Sequence, residues 1–244
     1  MVDISIGDCL GKGWAAFKRH PGTVLGGFFL YGIISLVGGN IPFLNILFTI
    51  FLAAPLAGGM AIFSLRLAKD ASPAVGDIFD GFDKYWKFMG AYWLLALAGL
   101  LCAIPAIVSV VIAAVAEREL GSAAVAVIAI TGVAASVVIA VVVMLRWVLV
   151  YLLLADEDNL GVLDAFKKSS DLTSGWRGQL FLTLLVLGLF AFCGLLLLIL
   201  GIFITGPVVA IGWAWLYMEA KRQVMASRGS LAPQPVTSPP PPIG

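Results

Sequence analysis

Apolar positions along the chain fall into six long, nearly unbroken runs, at about 22–39, 41–67, 88–116, 123–155, 180–200 and 202–217. About 20 consecutive apolar residues cross the hydrocarbon core of a bilayer as a helix. Barrel strands would alternate apolar and polar residues over about ten positions; these runs do not alternate, and so predict helices. The second pair of runs is longer than a bilayer needs, which predicts tilt or extension beyond the outer surface. Gly38-Gly39-Asn40-Ile41-Pro42 and the region of Gly201 read as tight turns between spans.

Shorter segments with helical periodicity precede the first, third and fifth runs. In the first segment Ile6, Leu10, Trp14 and Phe17 recur at three- and four-residue spacing, with Asp8, Lys12 and Arg19 on other faces. In the second, Ile78, Phe82, Tyr85, Trp86 and Met89 form the stripe, opposite Asp80, Asp83, Lys84 and Lys87, and Ser72-Pro73 reads as an N-cap and first-turn pair. The third is GVLDAFKKSS, from Gly161. Each carries a small residue followed by an aromatic: Gly13-Trp14, Gly81-Phe82 and Ala165-Phe166. Such helices lie in the headgroup plane with the apolar face down, or pack on the protein instead.

One unit, an interfacial helix plus a membrane hairpin, therefore occurs three times. An offset of 152 takes Gly13 to Ala165, Trp14 to Phe166, Gly26 to Gly178, Pro55 to Pro207, Ala68 to Ala220 and Lys69 to Lys221. The middle unit, 81–155, is longer, with its extra residues around the Glu117-Arg118-Glu119 turn. Each unit has two spans, so all three share one orientation as parallel repeats about an axis along the membrane normal. The predicted fold is an all-α integral membrane protein, six transmembrane helices in three parallel repeats of interfacial amphipathic helix plus helical hairpin. The repeats run at about 3–70, 72–156 and 160–222, making 1–222 the membrane domain; 223–244, ending SPPPPIG, is expected to be a disordered, Pro-rich cytoplasmic tail.

Charge adds direction. Arg146 aside, every Lys and Arg except Arg118 lies in the N-terminal segment, in the connections after the second and fourth runs, or in the C-terminal tail. The turns between runs one and two and between five and six carry no charge. By the positive-inside rule both termini are cytoplasmic. Composition agrees with a membrane protein: 61% hydrophobic, 12% charged, mean hydropathy +1.05, where soluble domains are about a quarter charged. A formal charge of +1 gives no sign of a nucleic-acid partner. Charged residues precede the first run and no small-residue cleavage site follows it, so that run is expected to be retained rather than removed as a signal peptide.

Candidate chemistry is sparse. Arg146 is the one charge well inside an apolar run, about 13 Å of helix before Ala155. A charge there needs a partner. Two readings stand: a structural Arg that snorkels or bonds loosened backbone carbonyls, or a ligand for an anion or lipid headgroup, with Ser169, Ser170 and Thr173 as companions. No Asp, Glu or His accompanies Arg146 within a run, which argues against a proton relay. Cys9, Cys102 and Cys193 lack metal or disulfide spacing. His20, the sole histidine, reads as an interface anchor, and Asp156-Glu157-Asp158 as a solvated acidic turn rather than a cation site. No catalytic or phosphate-loop motif occurs, and no cofactor or metal is expected.

The run from Leu145-Arg146-Trp147 through Ala155-Asp156-Glu157 to LGVLDAFKKSSDLTSGW resembles the hallmark of bacterial YciC-like membrane proteins and of the membrane domain of glycerophosphoryl diester phosphodiesterases. That pattern places an Arg in a span, an acidic turn, then an Ala-x-x-x-Ser segment ending in Thr-x-Gly; Arg146, Ala165, Ser169, Leu172, Thr173 and Gly175 occupy those positions. The phosphodiesterase catalytic barrel is absent, so the resemblance implies a multi-pass protein of the bacterial inner membrane and no hydrolase activity. Two functions follow as expectations. One is a non-enzymatic lipid-interacting or scaffolding module whose partners are membrane lipids, anionic ones at the cytoplasmic leaflet. The other is a transporter or channel for a small amphiphile or anion.

Overall fold

The computed structural model describes residues 5–196 and 199–230; of Ile6, 116–120, 122, 193–196, 199–203 and 227–230 the backbone alone is described. The expected Pro-rich tail beyond Ser230 and the side chain of Cys193 lie outside the described residues. The elements in order are α1 (Ile6–Arg19), α2 (Pro21–Asn40), α3 (Pro42–Leu47), a π-helical turn (Phe48–Leu52), α4 (Ala53–Lys69), a 3₁₀ segment (Val75–Phe82), α5 (Tyr85–Trp147), α6 (Val150–Asp156), α7 (Val162–Leu172), α8 (Arg177–Leu196) and α9 (Ile199–Ser230).

Among the described residues four helical stretches are long and apolar enough to cross a membrane: Pro21–Asn40, Pro42–Lys69, Tyr85–Val115 and Ala123–Asp156. A fifth is added if α7 and α8, bent by 98° against each other, count as one broken span. The first turn forms where expected: α2 ends at Asn40, Ile41 is extended, and Pro42 opens α3 at the position where its missing N–H costs nothing. No turn forms at Gly201, which lies inside α9. The middle hairpin reverses not at Glu117-Arg118-Glu119 but at Gly121, whose φ of 72° and ψ of 159° favour glycine. Its two arms are joined by the Ala106 amide donating to Ser136 Oγ at 2.8 Å, and Gly132 sits directly on Ser109. Pro55 withholds the amide that would bond the Phe51 carbonyl, and the helix widens into its π turn just before it.

The short elements preceding the first, third and fifth apolar runs differ most from expectation. The second is a 3₁₀ segment rather than a long amphipathic α-helix. It starts after Ala74, whose amide donates to Asp77 Oδ2 at 3.0 Å, so Asp77 does the capping and Ser72-Pro73 does not. Ser72 instead takes a left-handed conformation in the connection that follows α4. In α1 the residues that pack inward are Cys9, Gly13 and Ala16, while Trp14 of the apolar stripe stays 42% exposed and stacks on Phe17. Small residues thus face the protein, Phe17 packs partly against it, and Trp14 faces outward.

That division permits very close crossings. A Cβ on Gly13 would overlap the Val208 carbonyl, and one on Gly212 would press on the Cys9 carbonyl, so α1 and α9 meet backbone to backbone. Gly81 of the 3₁₀ segment lies against the Pro55 carbonyl and Gly59 against the Ile78 carbonyl, so the same kind of contact joins that segment to α4. The third element, α7, buries Ala165 and Phe166, and the Phe166 ring meets Trp147 edge-on at 5.1 Å. Where lipid tails are as apolar as the side chains, helix association depends on such close packing and on hydrogen bonds. Ile62 and Leu65 of α4, Leu153 of α6, and Ala214 and Tyr217 of α9 belong to one apolar cluster that fills the space between these helices.

Gly13→Val and Gly81→Val should each cost about 1–3 kcal/mol by overpacking, read as a lowered unfolding temperature in detergent. Gly188→Val, with open space around it, should leave that temperature unchanged.

Candidate functional site

The four residues singled out from sequence meet in one hydrogen-bonded group. Helix α5 ends at Trp147 and the chain turns before α6, so Arg146 sits in the last turn of α5, inside the apolar stretch Ala123–Asp156. Its backbone carbonyl, unpaired at a helix end, accepts a bond from Ser169 Oγ at 2.8 Å. Its own Nε donates to Ser170 Oγ at 3.1 Å. Thr173 Oγ1 donates back to the carbonyls of Ser169 (3.0 Å) and Ser170 (3.2 Å), closing the end of α7. Ser169 and Thr173 are fully buried, whereas the Arg146 side chain is exposed. Of the partners open to Arg146, the hydroxyl segment at the end of α7 is the one it takes.

Sequence reading missed Arg177 in this group. Gly175, at φ 90°, turns the chain sharply between α7 and α8, and Trp176 Nε1 donates to the Leu172 carbonyl at 2.6 Å. Arg177 then opens α8, with Nη2 donating to the Ser170 carbonyl at 3.4 Å. Its Nε is buried without a hydrogen-bond partner.

A second polar centre forms where α4, α6 and α9 end. Lys69 Nζ pairs with Asp156 Oδ1 and Lys221 Nζ with Asp156 Oδ2, both at 2.5 Å, and Tyr217, fully buried, donates its hydroxyl to Oδ2 at 3.0 Å. Lys221 also reaches Glu157, which Lys168 holds at 2.7 Å. Lys84 bonds Asp158 and donates to the Leu154 and Ala155 carbonyls at 3.0 Å, capping α6 with a cation where the helix dipole favours one. The acidic turn is therefore ion-paired throughout, with the Asp156 side chain 11% exposed and Asp158 still 83% exposed. The signal that could have found it was the offset matching Lys69 to Lys221, since the middle repeat has Asp156 directly after Ala155, the counterpart of Ala68 and Ala220.

A polar cavity of about 390 Å³ opens beside this centre, lined by Arg66, Lys69, Asp80, Asp83, Lys84 and Asp158 among others. Its cations are engaged: Arg66 pairs with Asp77 and Asp80 as well. Among the described residues no group of three or more His, Cys, Asp or Glu is arranged to hold a metal. His20 and Arg19 bond the two oxygens of Asp70, at 2.8 and 2.7 Å, fastening the α1–α2 corner to the left-handed residue that ends α4. Cys9 and Cys102 are buried free thiols.

The ion pairs make stability depend on acid. Burial works against ionisation of Glu157, but hydrogen bonds from Lys168 and Lys221 outweigh it and hold the carboxyl below its ordinary range. Lys84 does the same for Asp158. Depressed carboxyl groups contribute stability above their unfolded values, about 4.3 for Glu and 3.9 for Asp, and lose it as pH falls through the folded values. The unfolding temperature should therefore fall as the pH drops from about 5 toward 3, and Glu157→Gln should shrink that dependence. Asp156→Asn should cost about 2–3 kcal/mol at neutral pH, because Lys69 loses its carboxylate partner.

Residues 23–224 match the family described as "Protein of unknown function (DUF975)", a description that carries neither the YciC-like nor the phosphodiesterase name. No curated protein and no solved structure matches the chain. The match runs from the start of α2 to Val224 near the end of α9, over all the long apolar helices, so this helical membrane protein belongs to the DUF975 family.

Proposed function

We propose that the protein is a non-enzymatic, six-span module of the bacterial cytoplasmic membrane, built from three parallel repeats with both termini inside, which acts by engaging lipids of the inner leaflet. The observation that carries this reading is the two-sided character of the cytoplasmic elements. Their small residues contact the protein, while Trp14, Phe79 and Trp86 stand 42%, 46% and 82% exposed, with Lys18 Nζ 5.4 Å from the centre of the Trp14 ring. Aromatic rings beside basic groups belong at the boundary between hydrocarbon and headgroups. The similar crossings of α1 on α9 and of the 3₁₀ segment on α4 support the repeat. The YciC-like resemblance points to the same kind of protein.

A transport path is less well supported. Along the contact of α4, α6 and α9 it would have to pass Ile62, Leu65, Leu153 and Tyr217, which are packed against one another. Among the described helices Arg146 is the one charge lodged well inside a predicted apolar run, and it points to Ser170 rather than into that contact.

Reporter fusions after Gly39, Arg118 and Gly201 should read outside, and fusions after Lys69, Lys168 and Arg228 inside; an inside signal at Gly39 overturns the orientation. For the lipid role, the variant carrying both Trp14→Ser and Trp86→Ser should retain about half as many phospholipids on purification, given the large interfacial preference of Trp. An unchanged lipid count with intact folding would refute it.

A further inference from the structure

Arg66, Lys69, Lys84, Lys168 and Lys221 each pair with a carboxylate. Among the described residues Arg146 and Arg177 have no carboxylate partner, and yet both bond the same residue: Arg146 Nε the Ser170 hydroxyl, Arg177 Nη2 the Ser170 carbonyl. Two guanidinium groups brought together on one neutral residue repel each other. A buried donor with no acceptor, such as Arg177 Nε, costs about 1–3 kcal/mol. Both features are relieved by one ligand type, a compact anion with several acceptor oxygens.

The surroundings narrow the choice further. Arg177 is the first residue of α8, a 20-residue helix whose first amides have no helical acceptor and whose dipole favours negative charge. The nearest acid in sequence, Asp171, is on another flank of α7, where it lines a cavity with Lys167, Lys168 and Val224. Leu145 and Leu180, which flank the two arginines in sequence, are buried in one apolar cluster with Trp176. Arg146 ends a long apolar helix and its side chain is exposed. The site is thus a cationic pair at the edge of the apolar layer.

We infer that Arg146, Arg177 and the Ser170 hydroxyl bind a phosphate group, with the two arginines forking its oxygens as guanidinium groups do. The phosphodiester of an anionic phospholipid in the cytoplasmic leaflet and free inorganic phosphate share this chemistry. The lipid source rests on the orientation and lipid role proposed above. The phosphate chemistry does not.

The test is thermal unfolding of the full chain in neutral detergent, titrated separately with phosphatidylglycerol, phosphatidylcholine and inorganic phosphate. The variants are Arg146→Gln and Arg177→Gln, with Lys167→Gln as a control on the exposed face of α7. Phosphatidylglycerol should raise the unfolding temperature of the wild type and of the control more than phosphatidylcholine does. Either Arg→Gln variant should need about tenfold more phosphatidylglycerol for the same rise, the effect of one lost charge-assisted bond. If inorganic phosphate reproduces the rise and the arginine variants lose it, the site takes free phosphate and the chemistry stands. An equal response in wild type and both arginine variants, or a wild type that responds to neither phosphatidylglycerol nor phosphate, overturns the proposal. Should an Arg→Gln variant not fold, Arg146→Lys keeps the charge but not the fork; phosphatidylglycerol molecules counted by native mass spectrometry should then fall, and an unchanged count overturns the proposal. A wrong membrane orientation would show in the reporter fusions and leave this detergent titration untouched.

Discussion

Asp156 is the point at which the separate parts of the chain become one object. Its two oxygens take Lys69 from the end of α4 and Lys221 from α9, and Tyr217 adds a third bond from α9. Few other forces could do this work, because lipid-facing helices gain little from burying apolar surface against one another. A carboxylate with two cations and a hydroxyl has both oxygens bonded, which offsets much of the cost of withdrawing it from water. The apolar cluster beside it sets the spacing of the three helices, and the polar centre sets their register at one end.

How much of this could be read beforehand depended on the type of signal. The first four apolar runs became helices close to their expected places, since a bilayer-length run of Leu, Val, Ile and Ala leaves few alternatives. The turn at Asn40-Ile41-Pro42 was legible because proline fixes its own φ and bars a continuing ladder. The middle hairpin bent at Gly121 and not at the nearby charged triplet, because a reversal needs a residue that tolerates positive φ. The 3₁₀ segment was not legible: its apolar spacing fits a helix, and it is the contact of Gly81 and Ile78 with Pro55 and Gly59 that holds it there.

The candidate site shows the same limits. Arg146 stands out as the lone charge well inside an apolar run, and Ser169, Ser170 and Thr173 lie further along in the segment that resembles the family hallmark. Arg177 escaped notice since, in the sequence, it looks like one more basic residue at a helix start; only the sharp turn at Gly175 brings it back to Ser170. The stripe of Ile6, Leu10, Trp14 and Phe17 was visible, but hydrophobicity alone does not tell lipid from protein as its neighbour. Size does: the residues against the protein, Cys9, Gly13 and Ala16, are those small enough to let two backbones touch.

The crossing of α1 on α9 joins an early segment of the chain to a late one. A ribosome delivers α1 to the membrane long before α9 exists, and domains built during synthesis fold in the order in which they emerge. Until α9 is in place, the face of α1 bearing Gly13 has no backbone to lie against, and Asp156 has one lysine in place of two. The arrangement is a clasp whose last piece is made last: every earlier helix waits, partly partnered, in the bilayer, and the arrival of α9 fastens the beginning of the chain and its middle in a single event.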